Sequence, residues 1–296
     1  MTTADYLNQL EQDREDLVDN LETQGITGLT GDETFTELVP EVLNISGGAD
    51  LTNYFDNSVN LDSNNNIRNL VKKLISPITL NGNYPPSFGT LPKLIEIPDI
   101  ILNNVNNLNG CFSGCKLITT IPLFDTTGVT SMRQMFNNCS ALTSVPLLNT
   151  SSVTDMYQMF NSCTNLESVP LFITTNVTNM NSFISWCTHI TAIPQFDTSS
   201  VTDMRNMFNG CSALTTIPLL NTSSVTNMQN MFSSCNALNT TSLDNMLQMC
   251  INATNYTETK TLYWLGVQTG AFGYPTATIQ ALPHYNDFIS AGWTIS

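Results

Sequence analysis

Six cysteines, Cys115, Cys139, Cys163, Cys187, Cys211 and Cys235, fall 24 residues apart without slippage. A chain that repeats at one short step must fold into like units, and units of this size cannot bury their apolar side chains alone. Prolines keep the same step from Pro98 through Pro122, Pro146, Pro170 and Pro194 to Pro218. So do Val105, Val129, Val153, Val177, Val201 and Val225, each followed three residues later by Leu108, Met132, Met156, Met180, Met204 or Met228. The period runs over residues 88–241 and accounts for about half of the 296-residue chain.

One unit, LTSVPLLNTSSVTDMYQMFNSCTN, shows what the period implies. Leu142, Val145 and Leu147 are spaced as a short strand, which Pro146 ends because proline donates no ladder hydrogen bond. Asn149, Thr150 and Ser151 form a polar turn. Ser152 three residues before Asp155, repeated as Ser200 before Asp203, is a capping-box spacing and predicts one or two turns of helix. Val153, Met156, Phe160 and Cys163 would share a face of that helix. Each unit then has two apolar stripes, sealed only when units stack at about the 4.8 Å spacing of strands. The expected fold class is an α/β solenoid of 24-residue turns.

The flanks differ from the repeat. Tyr84, Phe88 and Leu91 lie 24 residues before Leu108, Phe112 and Cys115 and mark a degenerate turn, while Ile67, Leu70, Val71 and Leu74 have helical spacing suited to covering an open end. Residues 47–87 therefore read as linker and N-terminal cap. At the other end Ser242 is placed to cap a helix with Leu243, Met246, Leu247 and Cys250 inward, so residues 242–296 read as the C-terminal cap. Residues 1–46 are a small acidic head. Leu7, Leu10, Leu17 and Leu21 sit at heptad positions, and Thr34 with Glu37 opens a second helix carrying Phe35, Leu38, Val39, Val42 and Leu43. The head is either a hairpin burying its own stripes or a docking and oligomerisation element, a trimer being one expectation. The pair Gly47-Gly48 marks its boundary.

Charge narrows the function. Residues 1–50 carry twelve acids against Arg14 alone, and the whole chain has a formal charge of −15. Without a basic surface to release counterions, nucleic acid is excluded as a partner, and the acidic head would be repelled by anionic membranes. The first residues, MTTADYLNQLEQDRED, have neither the basic nor the apolar region of an export signal, and no apolar run reaches the length of a membrane span. Charged residues are 11% of the chain and histidines number two, which leaves little material for acid–base or nucleophilic catalysis. The expectation is a protein that is not an enzyme and needs no cofactor.

The core V-T-x-M-x-x-M-F-x-x-C, close at Val129, Val153, Val201 and Val225 and partial at Val105, where Cys111 replaces Met, resembles the BspA-like leucine-rich repeats of bacterial surface proteins. That resemblance implies a leucine-rich-repeat stack with an adhesive or recognition role and no catalytic residues. The segments YLNQLEQDREDLVDNLETQGI and ETFTELVPEVLNI are similar to the heads of tail- and baseplate-associated proteins in phages and prophages of Firmicutes. INATNYTETKTLYWLGV and the terminal AGWTIS are similar to the ends of repeat proteins from such genomes. These likenesses imply a virion protein docked to other tail proteins through residues 1–46 and facing a carbohydrate or protein receptor on the host cell. A cell-surface adhesin of the same repeat family is the alternative, and a polysaccharide-cleaving enzyme would need carboxylate clusters that adjacent units do not supply.

Eight cysteines invite a disulfide or metal reading, but the regular step is not a metal-ligand spacing and stacked Cβ vectors would run parallel. The column reads as buried free thiols acting as small hydrophobes, with no metal site. Asp155 and Asp203 alternate with Asn179 and Asn227, as Asp125 and Asp197 do with Asn149 and Asn221, which relieves repulsion between like charges on neighbouring turns. Recurring oxygen ligands also raise calcium between turns, but the glycine and aspartate density of calcium-binding solenoids is missing. The Val177 unit departs most: Phe183-Ile184 replaces Met-Phe, Ile173 replaces Asn or Asp, Trp186 stands where other units have Gly, Asn or Ser, and His189 appears nearby. Volume-preserving repacking explains Phe183 and Ile184. It leaves Trp186 at a position expected to be exposed, so Trp186 and His189 form one ligand-surface candidate. Arg133, Tyr157 and Arg205, which follow the first Met of their units, form another, and the same row also fits an ordinary solvated face.

Overall fold

The computed structural model describes residues 78–81, 88–90, 94–262, 274 and 276–295. The expected head at 1–46, the apolar spacing at Ile67–Leu74, and Tyr84 and Leu91 lie outside the described residues. In chain order the elements are β1 (Ile78–Asn81), a single 3-10 turn (Phe88–Thr90), β2 (Ile100–Asn103), α1 (Thr240–Asn252), β3 (Thr261–Leu262), α2 (Thr276–Gln280), α3 (Tyr285–Ser290) and β4 (Thr294–Ile295). β1 pairs with β2 in parallel, Ile78 opposite Ile100, and β3 with β4 likewise, Thr261 opposite Thr294. Among the described residues no helix is long and apolar enough to cross a membrane.

The repeat between β2 and α1 contains neither the strand nor the helix expected of each unit. Leu148 N–H donates to the Pro146 carbonyl at 2.9 Å, and Phe172 and Phe196 do the same to Pro170 and Pro194. This three-residue turn swings Leu147 outward, where it is 61% exposed, and carries Leu148 inward at 2%. Leu123, Leu171 and Leu219 repeat the outward placement and leave an exposed leucine row.

The expected helix fails for a different reason. Met156, Gln158, Phe160 and Ser162 donate their N–H groups to Asn179, Asn181, Phe183 and Ser185 of the following turn at 2.8–3.0 Å. A helix would use those donors internally and leave none for the neighbour. The alternate donors close local turns, Met159 to Met156, Asn161 to Gln158 and Cys163 to Phe160. Left-handed residues interrupt any helical run every four positions, with φ of +52° at Gln158 and +63° at Ser162 and similar values in the same columns throughout. Asp155 caps no helix. Its Oδ1 accepts from Tyr157 N–H at 2.9 Å, as Asn179 accepts from Asn181 and Asp203 from Arg205. Asp and Asn interchange because either oxygen completes that two-residue turn. The carboxylates Asp125 and Asp197 do the same job, and the hydroxyls and N–H groups of Thr127 and Ser199 hold them below the ordinary carboxylate range.

Turns are thus bonded in register to their neighbours. Isolated parallel bridges run from Asn107 through Ser131, Asp155, Asn179 and Asp203 to Asn227. Inside, Phe88, Phe112, Phe136 and Phe160 stack with ring centroids 5.2–5.5 Å apart and planes within 10°. Val, Met and Cys columns beside them are fully buried at the Val129, Val153 and Val201 turns. At the Val177 turn Phe183 and Ile184 are both fully buried, and Phe183 meets Phe160 edge-on at 71°.

A threonine column is also internal. Thr126, Thr150, Thr174 and Thr198 donate their hydroxyls to the carbonyls of Asn149, Ile173, Asp197 and Asn221 at 2.7–2.8 Å. Thr150, read from sequence as part of a polar turn, is 1% exposed. Replacing it with valine keeps the shape and removes the donor to Ile173. A loss of about 1–2 kcal/mol in urea unfolding is expected, and no loss would show that this column is not holding turns together.

α1 closes the row. Its N-cap is Asn239, whose side chain accepts from Ser242 N–H, so the helix starts earlier than the Ser242 spacing suggested. Ser242 instead stitches α1 to the last turn, accepting from Ile217 N–H at 3.0 Å and donating to the Thr215 carbonyl at 3.2 Å. Leu243, Met246, Leu247 and Cys250 face the core as expected. α3 is tied to α1 through His284, whose Nδ1 lies 2.8 Å from Asp244 Oδ2 and whose N–H donates to Oδ1 at 3.0 Å.

Candidate functional site

Arg133, Tyr157 and Arg205 occupy one surface row, together with Asn109, Asn181 and Gln229. Two-residue turns of the kind just described fix the backbone before Asn109, Tyr157, Asn181, Arg205 and Gln229, whereas Arg133 N–H donates to Asn109 Oδ1 of the preceding turn at 2.9 Å. Arg133 Nη1 donates to Asp155 Oδ2 at 2.8 Å, and its guanidinium carbon sits 4.5 Å from the centroid of the Tyr157 ring. Arg205 grips its own turn instead, donating from Nε to both Asp203 oxygens and from Nη2 to Oδ2 at 2.7 Å. These bonds hold the Arg205 guanidinium above its ordinary value. Asn181, between Tyr157 and Arg205, is nearly buried and donates to Asp203 Oδ2 at 3.4 Å. The structure therefore brings Arg133 and Tyr157 into direct contact and ties Arg205 to the same row through Asn181 and Asp203. Such a strip offers fixed donors and acceptors with its charges already paired.

Trp186 and His189 come later in their unit. Trp186 is 51% exposed and its backbone is left-handed at φ +60°, in the column where Gly114, Asn138, Ser162, Gly210 and Ser234 also take positive φ. A bulky side chain there costs on the order of 1 kcal/mol relative to glycine. Strain of this kind persists where the surroundings hold it. What holds it is the next turn: Trp186 N–H donates to the Asn209 carbonyl at 2.7 Å, and the indole lies on Gly210. A Cβ added to Gly210 would stand 2.7 Å from indole Cδ2 and 2.8 Å from Cε3. His189 is exposed, with Nδ1 2.6 Å from the Thr164 carbonyl of the preceding turn, so that nitrogen carries the proton.

Gly210 was not singled out by sequence, although it stands 24 residues after Trp186. A double-mutant cycle tests the pairing. Gly210→Ala alone should cost about 2 kcal/mol or more, from the positive φ plus the clash. In a Trp186→Ser background only the φ contribution of about 1 kcal/mol should remain. Equal losses in the two backgrounds would show that the ring does not rest on Gly210.

All eight cysteines are buried and none is in a disulfide. Cys139, Cys163, Cys187, Cys211 and Cys235 donate their S–H to the carbonyls of Phe112, Phe136, Phe160, Ile184 and Phe208 at 3.0–3.1 Å. Burial pushes every one of these thiols up, to about 12 at Cys139 and Cys211. The column therefore supplies small hydrophobes with one weak donor each, and no thiolate at neutral pH. Among the described residues no group of His, Cys, Asp and Glu is arranged to hold a metal ion.

No curated protein matches the chain. The model of the family described as Mycoplasma protein of unknown function, DUF285, matches residues 93–192 and 183–265, which together cover more than half of the sequence. That match is consistent with a BspA-like repeat, since it falls on the turns built from the V-T-x-M-x-x-M-F-x-x-C core. The chain is a member of the DUF285 repeat family.

Proposed function

We propose that this protein is a binding and display protein, not an enzyme, whose stacked turns form a repeat solenoid carrying a recognition surface. The observation that supports this most is the contrast between columns. Inward positions keep apolar chemistry from turn to turn, whereas the row after Leu108 and each first Met reads Asn109, Arg133, Tyr157, Arg205 and Gln229 on the surface and dips inward only at Asn181. Variation at outward positions over an unvarying apolar interior is how a surface is adapted to a partner without disturbing its support. A pre-formed array also loses little conformational entropy on binding, and weak contacts multiply when copies are joined.

In this reading residues 1–46 dock or oligomerise, residues 47–87 and 242–296 cap the array, and the turns face a receptor on the host cell. The likeness of the flanking segments to tail-associated proteins supports a place in a phage or prophage tail. The likeness of the repeat to bacterial surface proteins supports the second reading, an adhesin on the cell that makes it. Mass spectrometry of purified virions separates the two. Peptides from residues 88–241 in particles support the tail reading; their absence there, with surface labelling of intact cells, supports the adhesin. Failure of the full chain to bind Firmicute cells would sink the tail reading.

A further inference from the structure

We propose that Trp186 and the polar residues around it form a stacking site for an uncharged sugar ring. The inference deepens the display reading, on which it rests, by naming what the surface takes. The indole packs against Gly210, where an added Cβ would meet Cδ2, Cε3 and Cε2, and Trp186 nevertheless stays half exposed, which leaves ring surface open to solvent. The ring cannot tuck away, because its backbone is fixed in the left-handed well and its N–H is bonded to the Asn209 carbonyl at 2.7 Å. A flat aromatic face held open in this way suits the apolar C–H face of a pyranose.

The rim fits the other half of a sugar. Asn138 and Ser162 occupy the same column on the two preceding turns, and the Asn161 amide is oriented by donation to Asn137 Oδ1 at 2.8 Å. His189 is oriented by Thr164, which leaves Nε2 as its other polar atom. From residue 137 to residue 141, 161 to 165 and 209 to 213 the neighbouring turns contain no Asp, Glu, Lys or Arg. A phosphate, a sulfated chain or a basic peptide would find no counter-charge here. Amides and hydroxyls beside an open indole match hydroxyl groups instead. An apolar protein anchor would be expected to meet further apolar side chains at the rim, and the rim is polar.

The full chain and Trp186→Ala are applied to a printed array of neutral and sulfated oligosaccharides built from hexose, N-acetylhexosamine and deoxyhexose. Hits are titrated in solution by saturation-transfer NMR. Firmicute cells are stained with both proteins in parallel. At least one neutral oligosaccharide should bind, Trp186→Ala should weaken it about tenfold or more, and Trp186→Phe should restore most of the affinity. Unchanged thermal unfolding of Trp186→Ala would locate the loss in binding. Binding only to sulfated sugars, or equal binding by Trp186→Ala, overturns the site, and the absence of any neutral hit overturns the sugar assignment. Cells that still bind while neutral sugars do not, with Trp186→Ala impaired on cells, would point to a protein receptor and overturn the sugar assignment alone. Neutral sugars bound through Trp186, with no staining of cells, would keep the site and remove the reading of a tail protein facing the host cell.

Discussion

Raising the pH above about 9 is expected to unfold the stacked turns within one to two pH units. A thiol is neutral when protonated, and burial without counter-charges disfavours its thiolate, so the folded state keeps protons that the unfolded chain releases. Folded values stand at about 12 for Cys139 and Cys211, against an ordinary value of 9.0. The stabilisation is therefore complete below pH 9 and is lost as pH rises toward the folded values. Each thiol contributes about 1.4 kcal/mol per pH unit in that window, and eight contribute about 11. A domain holds about 5–15 kcal/mol in total. Circular dichroism and thiolate absorbance should change together in one transition. Because lysines and tyrosines also titrate there, the double variant Cys163→Ala, Cys187→Ala isolates the cause: its stability should fall with pH about a quarter less steeply. An unchanged slope would remove the thiols from the explanation.

Deleting residues 142–165, one whole unit, should leave a cooperatively folded protein, whereas deleting only 142–153 should damage it more. The whole-unit deletion joins Ala141 to Leu166 and lets Phe136 N–H donate to the Phe183 carbonyl, the bond that Phe160 makes now. Every column keeps its chemistry. The half-unit deletion strands residues 154–165, which have no place of their own in the array. Extruding them puts Met156, Met159, Phe160 and Cys163, all fully buried, into water. At about 1.5–3 kcal/mol for each large side chain the loss approaches the stability of the protein. Urea midpoints of the two variants decide the matter. If the shorter deletion is the milder one, the turns are not held in register as described.

The burial of these side chains was legible in the sequence and their backbone was not. Val153, Met156, Phe160 and Cys163 share a face in a helix, and they also share one in two successive four-residue turns. Apolar spacing alone does not distinguish the two. The distinguishing signal lay in the polar columns: Gly110, Gln134, Gln158, Ser182, Asn206 and Asn230 all take positive φ, which a helix interior would not tolerate. Leu147 failed for a related reason, since Pro146 does not end a strand but sets a three-residue turn that reverses the inward side. The half exposure of Trp186 followed from its column. Its seat on Gly210 did not, because that needs to know which residues of the next turn lie beneath it. His284 shows the same limit: its partner Asp244 is forty residues away in sequence.

Many of the bonds between turns join a residue to one 23 or 24 positions away, so they run along the row of turns and not across it. Tension applied between the two ends would load them in series. The weakest junction then yields first and leaves the others intact, which makes the array a yielding tether. Each turn let go would add about 80 Å of slack chain at the extended length per residue. A molecule fixed at one end and gripping a surface at the other would stretch under sudden load before its grip failed, and the released turns carry their own bonding pattern for closing again when the load is gone.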